Sequence, residues 1–195
     1  MPGTEKIRRL QARLTHDPDR NEVGELLPAT SAALQSEEPV EMLVQAFLRE
    51  RILLAVGEPV VAEQGALLVF TSQKSMKAWN KEARPVPKNG QDAAMLAIAL
   101  GCSRFLVDMR WVITRPAIEA LAAGDTWLPP WKDTDLLAKI GLDAKILPGT
   151  NPLVIEVYSE TREEAEAEID RISKLARFGT AVGNAEFRPR RRSHA

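Results

Sequence analysis

Few side chains in this sequence have the type and placement to do chemistry, and the hydroxyl pair Thr71-Ser72 comes first. It closes the apolar run "LLVF" and opens "SQKSMKAW", a strand-to-helix junction. The first amides of a helix lack intrahelical acceptors, so the first duty of these hydroxyls is to cap it. The same amides, with Lys74 and Lys77 beside them, could instead hold an anionic ligand. No glycine-rich phosphate cradle accompanies them. Asp108 closes "RFLVD", where carboxylates of α/β proteins often reach into a site, with Glu119 as an acidic companion. A surface ion pair with Arg110 or Arg115 is its plain structural alternative.

The histidines exclude more than they suggest. The two in the chain are His16 and His194, near either end. A Ser-His-Asp triad, a Cys-His pair or a His-based zinc site is therefore not expected in the body of the protein. Cys102 is the single cysteine, which rules out an internal disulfide or an all-Cys metal cluster. It follows Gly101 at the end of an apolar helix, the wrong end to stabilise a thiolate, and reads as a buried structural residue. No metal site and no cofactor is expected.

Two further groups point to contacts rather than catalysis. Trp127, Pro129, Pro130 and Trp131 in "WLPPW" either roof a core or present a rigid apolar surface, since Trp is enriched in binding hot spots. Trp79 sits three residues after Met76 on one side of the helix that follows Thr71-Ser72, and Phe70 reads as core. The arginines Arg188, Arg190, Arg191 and Arg192 read as a solvated, mobile end. They could touch phosphates in a salt-sensitive way. Beyond Phe187 they lack interleaved aromatics, so specific nucleic-acid binding is not expected.

The elements that must position these residues follow from pattern. Hydrophobic residues make up 45% and charged residues 27%, a soluble globular balance in a chain long enough to bury a core without staples. The net charge of −1 gives no global pull toward nucleic acid or membranes. No apolar run approaches the roughly 20 residues of a membrane span, and the first residues lack the apolar stretch of a secretory signal. A cytoplasmic protein is expected.

Short apolar runs such as "RILLAV" and "GALLVF" read as strands covered on both faces. They alternate with helical stretches, one ending at Gly101, another opening near Thr114 with Pro116 in its first turn and ending at Gly124. The fold class is α/β: a small mixed sheet with helices on it, plus a C-terminal β-α-β unit. Residues 1–38 read as a partly ordered arm, with Ile7, Leu10 and Leu14 at helical spacing. Residues 39–131 form the main domain, and 132–151 a proline-containing linker with a short helix capped by Asp133. Residues 152–188 form the β-α-β unit, docked on the main domain, and 189–195 a basic tail.

The succession "LVQAFLRERILLAV", "LLVFTSQKSMKAW", "ARPVP" and "RFLVDMRWVITRPAIEAL" resembles the N-terminal domain of the SseB family, named for enhanced serine sensitivity. The closing "WLPPW" resembles the end of its actinobacterial form. The resemblance runs from Pro39 to Trp131. It implies a cytoplasmic α/β domain, and it carries over no established catalytic residues. Many members carry Asn-Pro where this chain has Asp108-Met109, so the resemblance also implies an altered loop here.

Together these readings point to a non-enzymatic interaction or regulatory module whose partner is another protein, met through Thr71, Ser72, Trp79, Trp127 and Trp131. The alternative is a sensor or enzyme for a small anion or amino-acid metabolite, held at the Thr71-Ser72 helix start with Asp108 opposite.

Overall fold

Proline places the first two helices of the structure, a computed structural model that describes residues 24–56, 61–62, 65–148, 152–175, 178–183 and 185–192. Pro28 begins α1 (Pro28–Leu34) and Pro39 begins α2 (Pro39–Phe47). A proline there gives up only an amide that has no acceptor within the helix. The apolar runs then form β1 (Arg51–Val56), the two-residue β2 (Val61–Ala62) and β3 (Ala66–Phe70). After these come α3 (Gln73–Trp79), β4 (Arg84–Asn89), α4 (Gly90–Ala99), β5 (Arg104–Val107), β6 (Trp111–Thr114) and α5 (Arg115–Ala123). A 3-10 turn at Pro130–Lys132 leads to α6 (Thr134–Ile140), β7 (Ala144–Leu147), β8 (Leu153–Ser159), α7 (Arg162–Ser173), α8 (Phe178–Val182) and β9 (Ala185–Arg191). They fall into two compact units, one ending at Trp127 and one beginning at Leu128.

The first unit is a mixed sheet in the order β4-β1-β3-β5-β6, with β2 paired to β3. β3 and β5 run parallel and the other pairs are antiparallel. β4 carries Pro85 and Pro87 and lies at the sheet edge, where a missing N–H leaves no gap in a ladder. Ile52, Leu53 and Leu54 are buried in succession, so both faces of β1 are covered. On one face Met76 of α3 packs with Leu53, Leu68, Phe70 and Ala83. Helices α2, α4 and α5 also pack on the sheet. Gly101 and Gly124 end α4 and α5 in left-handed backbone, as glycine there predicts. Thr114 takes the N-cap position of α5, but its hydroxyl makes no capping bond.

Three boundaries differ from those expected. Within the arm expected to be partly ordered, residues 24–38 belong to the first unit: Thr30 and Ala33 of α1 are buried, and Gly24 and Glu25 are tied to α3 and β1. Ile7, Leu10, Leu14 and His16 lie outside the described residues. Residues 132–148 are no linker either. Leu136, Ile140 and Ile146 enter the core of the second unit, and β7 pairs with β8. Asp133 does cap α6, accepting from the Leu136 amide at 3.1 Å.

The second unit is the expected β-α-β arrangement with β7 added, in the order β7-β8-β9 with β8 and β9 parallel. Ile155, Val157, Ile172 and Phe178 are among its buried residues. The third difference is the basic tail. β9 runs to Arg191, because pairing with β8 supplies backbone partners as far as Ser159. Arg188 pairs with Glu186, Arg190 with Glu156 and Arg192 with Asp143. His194 lies outside the described residues.

Candidate functional site

The end of β3 and the start of α3 meet the β5–β6 turn, and this is where the sequence candidates converge. Ser72 is the N-cap of α3, in extended backbone. Its Oγ accepts from the Ser75 amide at 3.1 Å, and the Ser75 Oγ accepts from the Ser72 amide at 3.3 Å. That is a capping box with serine in the place glutamate commonly takes. The Ser72 carbonyl also lies 2.9 Å from Ser75 Oγ, where it competes with Asp108 for the one hydroxyl proton. The Gln73 amide donates to the Gly24 carbonyl at 2.7 Å, so the segment before α1 closes this helix end from outside.

Asp108 binds the junction from the other side. Its Oδ1 accepts from the Thr71 amide at 2.9 Å and from Ser75 Oγ at 2.6 Å, and its Oδ2 accepts from Thr71 Oγ1 at 2.5 Å. Its own amide donates to the Val69 carbonyl at 2.9 Å, continuing the β3–β5 pairing. The chain then turns sharply. Asp108 and Met109 have φ of 50° and 59°, and the Arg110 amide closes on the Val107 carbonyl at 2.9 Å. Two consecutive left-handed residues open a three-residue loop here, since the ladder resumes at Val107 and Trp111, and they do so without glycine. Asp tolerates the left-handed region, whereas Met rarely enters it. The Asn-Pro pair of the resemblance could not take this shape, since proline holds φ near −65°.

Thr71, Ser72 and Asp108 are therefore brought together, with Asp108 bonded to Thr71 and Ser75 rather than to Arg110 or Arg115. Thr71 is buried, and Ser72 and Asp108 are half-buried. Trp79 lies one helical turn beyond Ser75, 40% exposed, with its ring 5.4 Å from that of buried Phe70. Trp127 and Trp131 do not form an exposed surface with it. Trp127 is buried, and Trp131 packs on the core of the second unit. Their large apolar faces serve the interior, as the first of the two readings of "WLPPW" has it. Cys102 is buried, and burial pushes its thiol up although the Arg115 charge pulls the other way. Arg115 binds the Cys102 carbonyl at 2.8 Å and pairs with Glu119 at 2.7 Å.

Sequence reasoning missed Ser75 and Glu50, and reached Met109 only as half of the altered Asp108-Met109 pair of the resemblance. Ser75 had a local signal, its three-residue spacing from Ser72. Met109 had none in its residue type. The Glu50 carboxylate accepts from the Ala29 and Thr30 amides at 2.8 Å and from Thr30 Oγ1 at 2.7 Å, capping α1 from a distance. Burial pushes its carboxyl up, but these bonds and the Arg51 charge outweigh that and hold it below the usual value.

Chemically, the junction is a cross-brace. The amides of Thr71, Ser72, Gln73 and Ser75 all have acceptors within the chain, and a carboxylate already sits where an anion would approach. No group of three or more His, Cys, Asp or Glu side chains is placed to hold a metal among the described residues. No helix among them is long and apolar enough to cross a membrane.

Residues 25–120 match the SseB protein N-terminal domain. No curated protein and no solved structure matches the chain. The matched stretch holds the sheet of the first unit, the braced junction and the Asp108-Met109 turn, and through it this chain belongs to the SseB family.

Proposed function

We propose that this SseB-family chain is a non-enzymatic, cytoplasmic interaction or regulatory module that meets a partner protein at the tip formed by the β5–β6 turn and α3. One observation carries the reading. Met109 is held in left-handed backbone at φ 59° and is 47% exposed, at the end of a turn locked to α3 by Asp108. Strained backbone persists where its surroundings over-determine it, and such places cluster at functional sites. Here the strain presents a large apolar side chain to solvent, with Trp79 further along the same helix and Arg110 stacked 4.5 Å over the Trp111 ring. Methionine adapts readily to partner surfaces.

The small-anion alternative has less support at Thr71-Ser72, because the Thr71, Ser72, Gln73 and Ser75 amides are engaged and α3 is a helix of only 7 residues. The test is capture from native cells with tagged wild type and Met109→Gly, at low and high salt and with nuclease. Glycine keeps the turn and deletes the apolar contact. A stoichiometric protein held by wild type and lost from Met109→Gly is the expected result. Equal retention by both removes the tip from the reading. A well-folded wild type that retains no protein overturns the module itself.

A further inference from the structure

The second unit contains a groove that the reading above does not use. It lies between α7 and β9, at the carboxyl ends of the parallel strands β8 and β9, with a volume of about 580 Å³. Crevices outside the carboxyl ends of parallel strands are common ligand sites in α/β sheets. The volume falls within the roughly 300–1,000 Å³ of small-molecule pockets.

Its lining has an apolar part, a polar rim that includes Glu160 and Glu166 at the start of α7, and a basic part on β9. Ala165 and Ile169 of α7 face Phe187 and Pro189 of β9 across it. Phe187 is fixed from within the unit by stacking on Phe178, with ring centroids 5.7 Å apart. Strand alternation puts Arg191 on the same face as Phe187 and Pro189. Its neighbours Arg188, Arg190 and Arg192 each have a carboxylate partner, and Arg162 across the groove is paired with Glu166 at 2.7 Å. Among the described residues Arg191 makes no ion pair. The start of α7 is not the attraction, since the Glu160, Thr161 and Glu164 amides are engaged in its capping box.

The occupant is not another strand. The Arg192 amide donates to the Ser159 carbonyl, so the parallel pairing turns the backbone groups of Phe187, Pro189 and Arg191 away from β8. Pro189 has no N–H to offer on that free edge, and arginines flank it, the usual means of blunting an edge. Whatever fills the groove is held by side chains.

We propose that this groove binds an apolar-bodied carboxylate, such as a medium-chain fatty acid, with its carboxylate on Arg191 and its body along Phe187, Pro189, Ala165 and Ile169. The test is an amide-resolved NMR titration of the full chain with octanoate, beside acetate (charge without tail) and octan-1-ol (tail without charge). Octanoate should give saturable shifts centred on Ala165, Ile169, Phe187 and Arg191, with both other probes at least about tenfold weaker. That matches the roughly 1.5–3 kcal/mol of a hydrogen bond to a charged group, since about 1.4 kcal/mol is tenfold. Arg191→Gln should weaken octanoate about tenfold and leave octan-1-ol unchanged. Pro189→Glu, at an exposed position of the edge strand, should weaken both octanoate and octan-1-ol, because it replaces part of the apolar bed under the tail. Unsaturable or scattered shifts, equal binding of octan-1-ol, or an unchanged Arg191→Gln variant would each overturn the proposal. The site lies in the second unit and the Met109 tip in the first, so either can fail without the other.

Discussion

Asp108 and Ser75, 33 residues apart in sequence, are joined by a 2.6 Å hydrogen bond between Oδ1 and Oγ. The same carboxylate takes both donors of Thr71, so one side chain ties the β5–β6 turn to the β3–α3 junction. Asp108→Ala leaves the buried Thr71 donors without an acceptor and should destabilise by about 2–3 kcal/mol. Asp108→Asn should cost under about 1 kcal/mol, since its oxygen can keep the bonds at Oδ1 and the Thr71 hydroxyl can turn to accept from its amide. Ser75→Ala should cost about 1 kcal/mol and be non-additive with Asp108→Ala by about 0.5 kcal/mol or more. Urea unfolding of the single and double variants measures this. Strict additivity would show that the brace is not a unit.

The turn itself makes an opposite prediction. Left-handed backbone costs a non-glycine residue about 1–2 kcal/mol, and the extra chain entropy of glycine offsets about 0.5–1 kcal/mol of the relief. Met109→Gly should therefore be neutral or stabilising by up to about 1 kcal/mol, while Met109→Val destabilises, because a β-branched residue fits this region worst. Equal unfolding midpoints for the two variants would contradict the turn geometry.

How much of this was legible in the sequence depends on the range of the partners. The strand-to-helix junction at Thr71-Ser72, the glycines that end α4 and α5, and the Asp133 cap were readable, because each depends on residues within a turn of one another. Helix α1 was not. Its N-terminal amides are satisfied by Glu50, some 20 residues later, and no local pattern in "LLPATSAAL" announces that. The far end of β9 was lost for a related reason: "PRRR" reads as a charged tail until β8 lies beside it and the arginines of the strand find Glu156, Glu186 and Asp143.

At the candidate site the residue types were legible and the connections were not. Thr71 and Asp108 each had a plausible role alone, with opposite implications for an anion. Only their 2.5 Å contact decides between them, since a carboxylate bonded to the helix start takes the place of the ligand it was imagined to face.

Acid should loosen α1 before the rest of the first unit. The Glu50 carboxyl lies below its usual value near 4.5, burial being outweighed by bonds from Ala29 and Thr30. A carboxyl depressed in the folded state contributes stability that is complete above the unfolded value and is lost as pH falls through the folded one. The protection factors of the Ala29 and Thr30 amides should therefore fall below about pH 4.5, and in Glu50→Gln they should be lower at neutral pH and flatter with pH. Exchange with the same pH profile in both proteins would show that Glu50 does not hold the helix.

Two glycines separate crowding from strain. A Cβ on Gly90 would lie 2.1 Å from the Phe47 carbonyl oxygen and 2.9 Å from its carbon, both backbone atoms at the end of α2. Neither can turn aside as a side chain would, so Gly90→Ala must push α4 away from α2 and should destabilise by about 2–4 kcal/mol. Gly101 is the contrast: its φ is 72° and nothing lies within 4 Å of its Cβ position. Gly101→Ala therefore carries only the left-handed backbone term, about 1–2 kcal/mol, and Gly101→Asn should cost less still. Chemical denaturation of the three variants gives the order. If Gly90→Ala proves the mildest, the close approach of α4 to Phe47 is wrong, and with it the seating of α4 on the sheet.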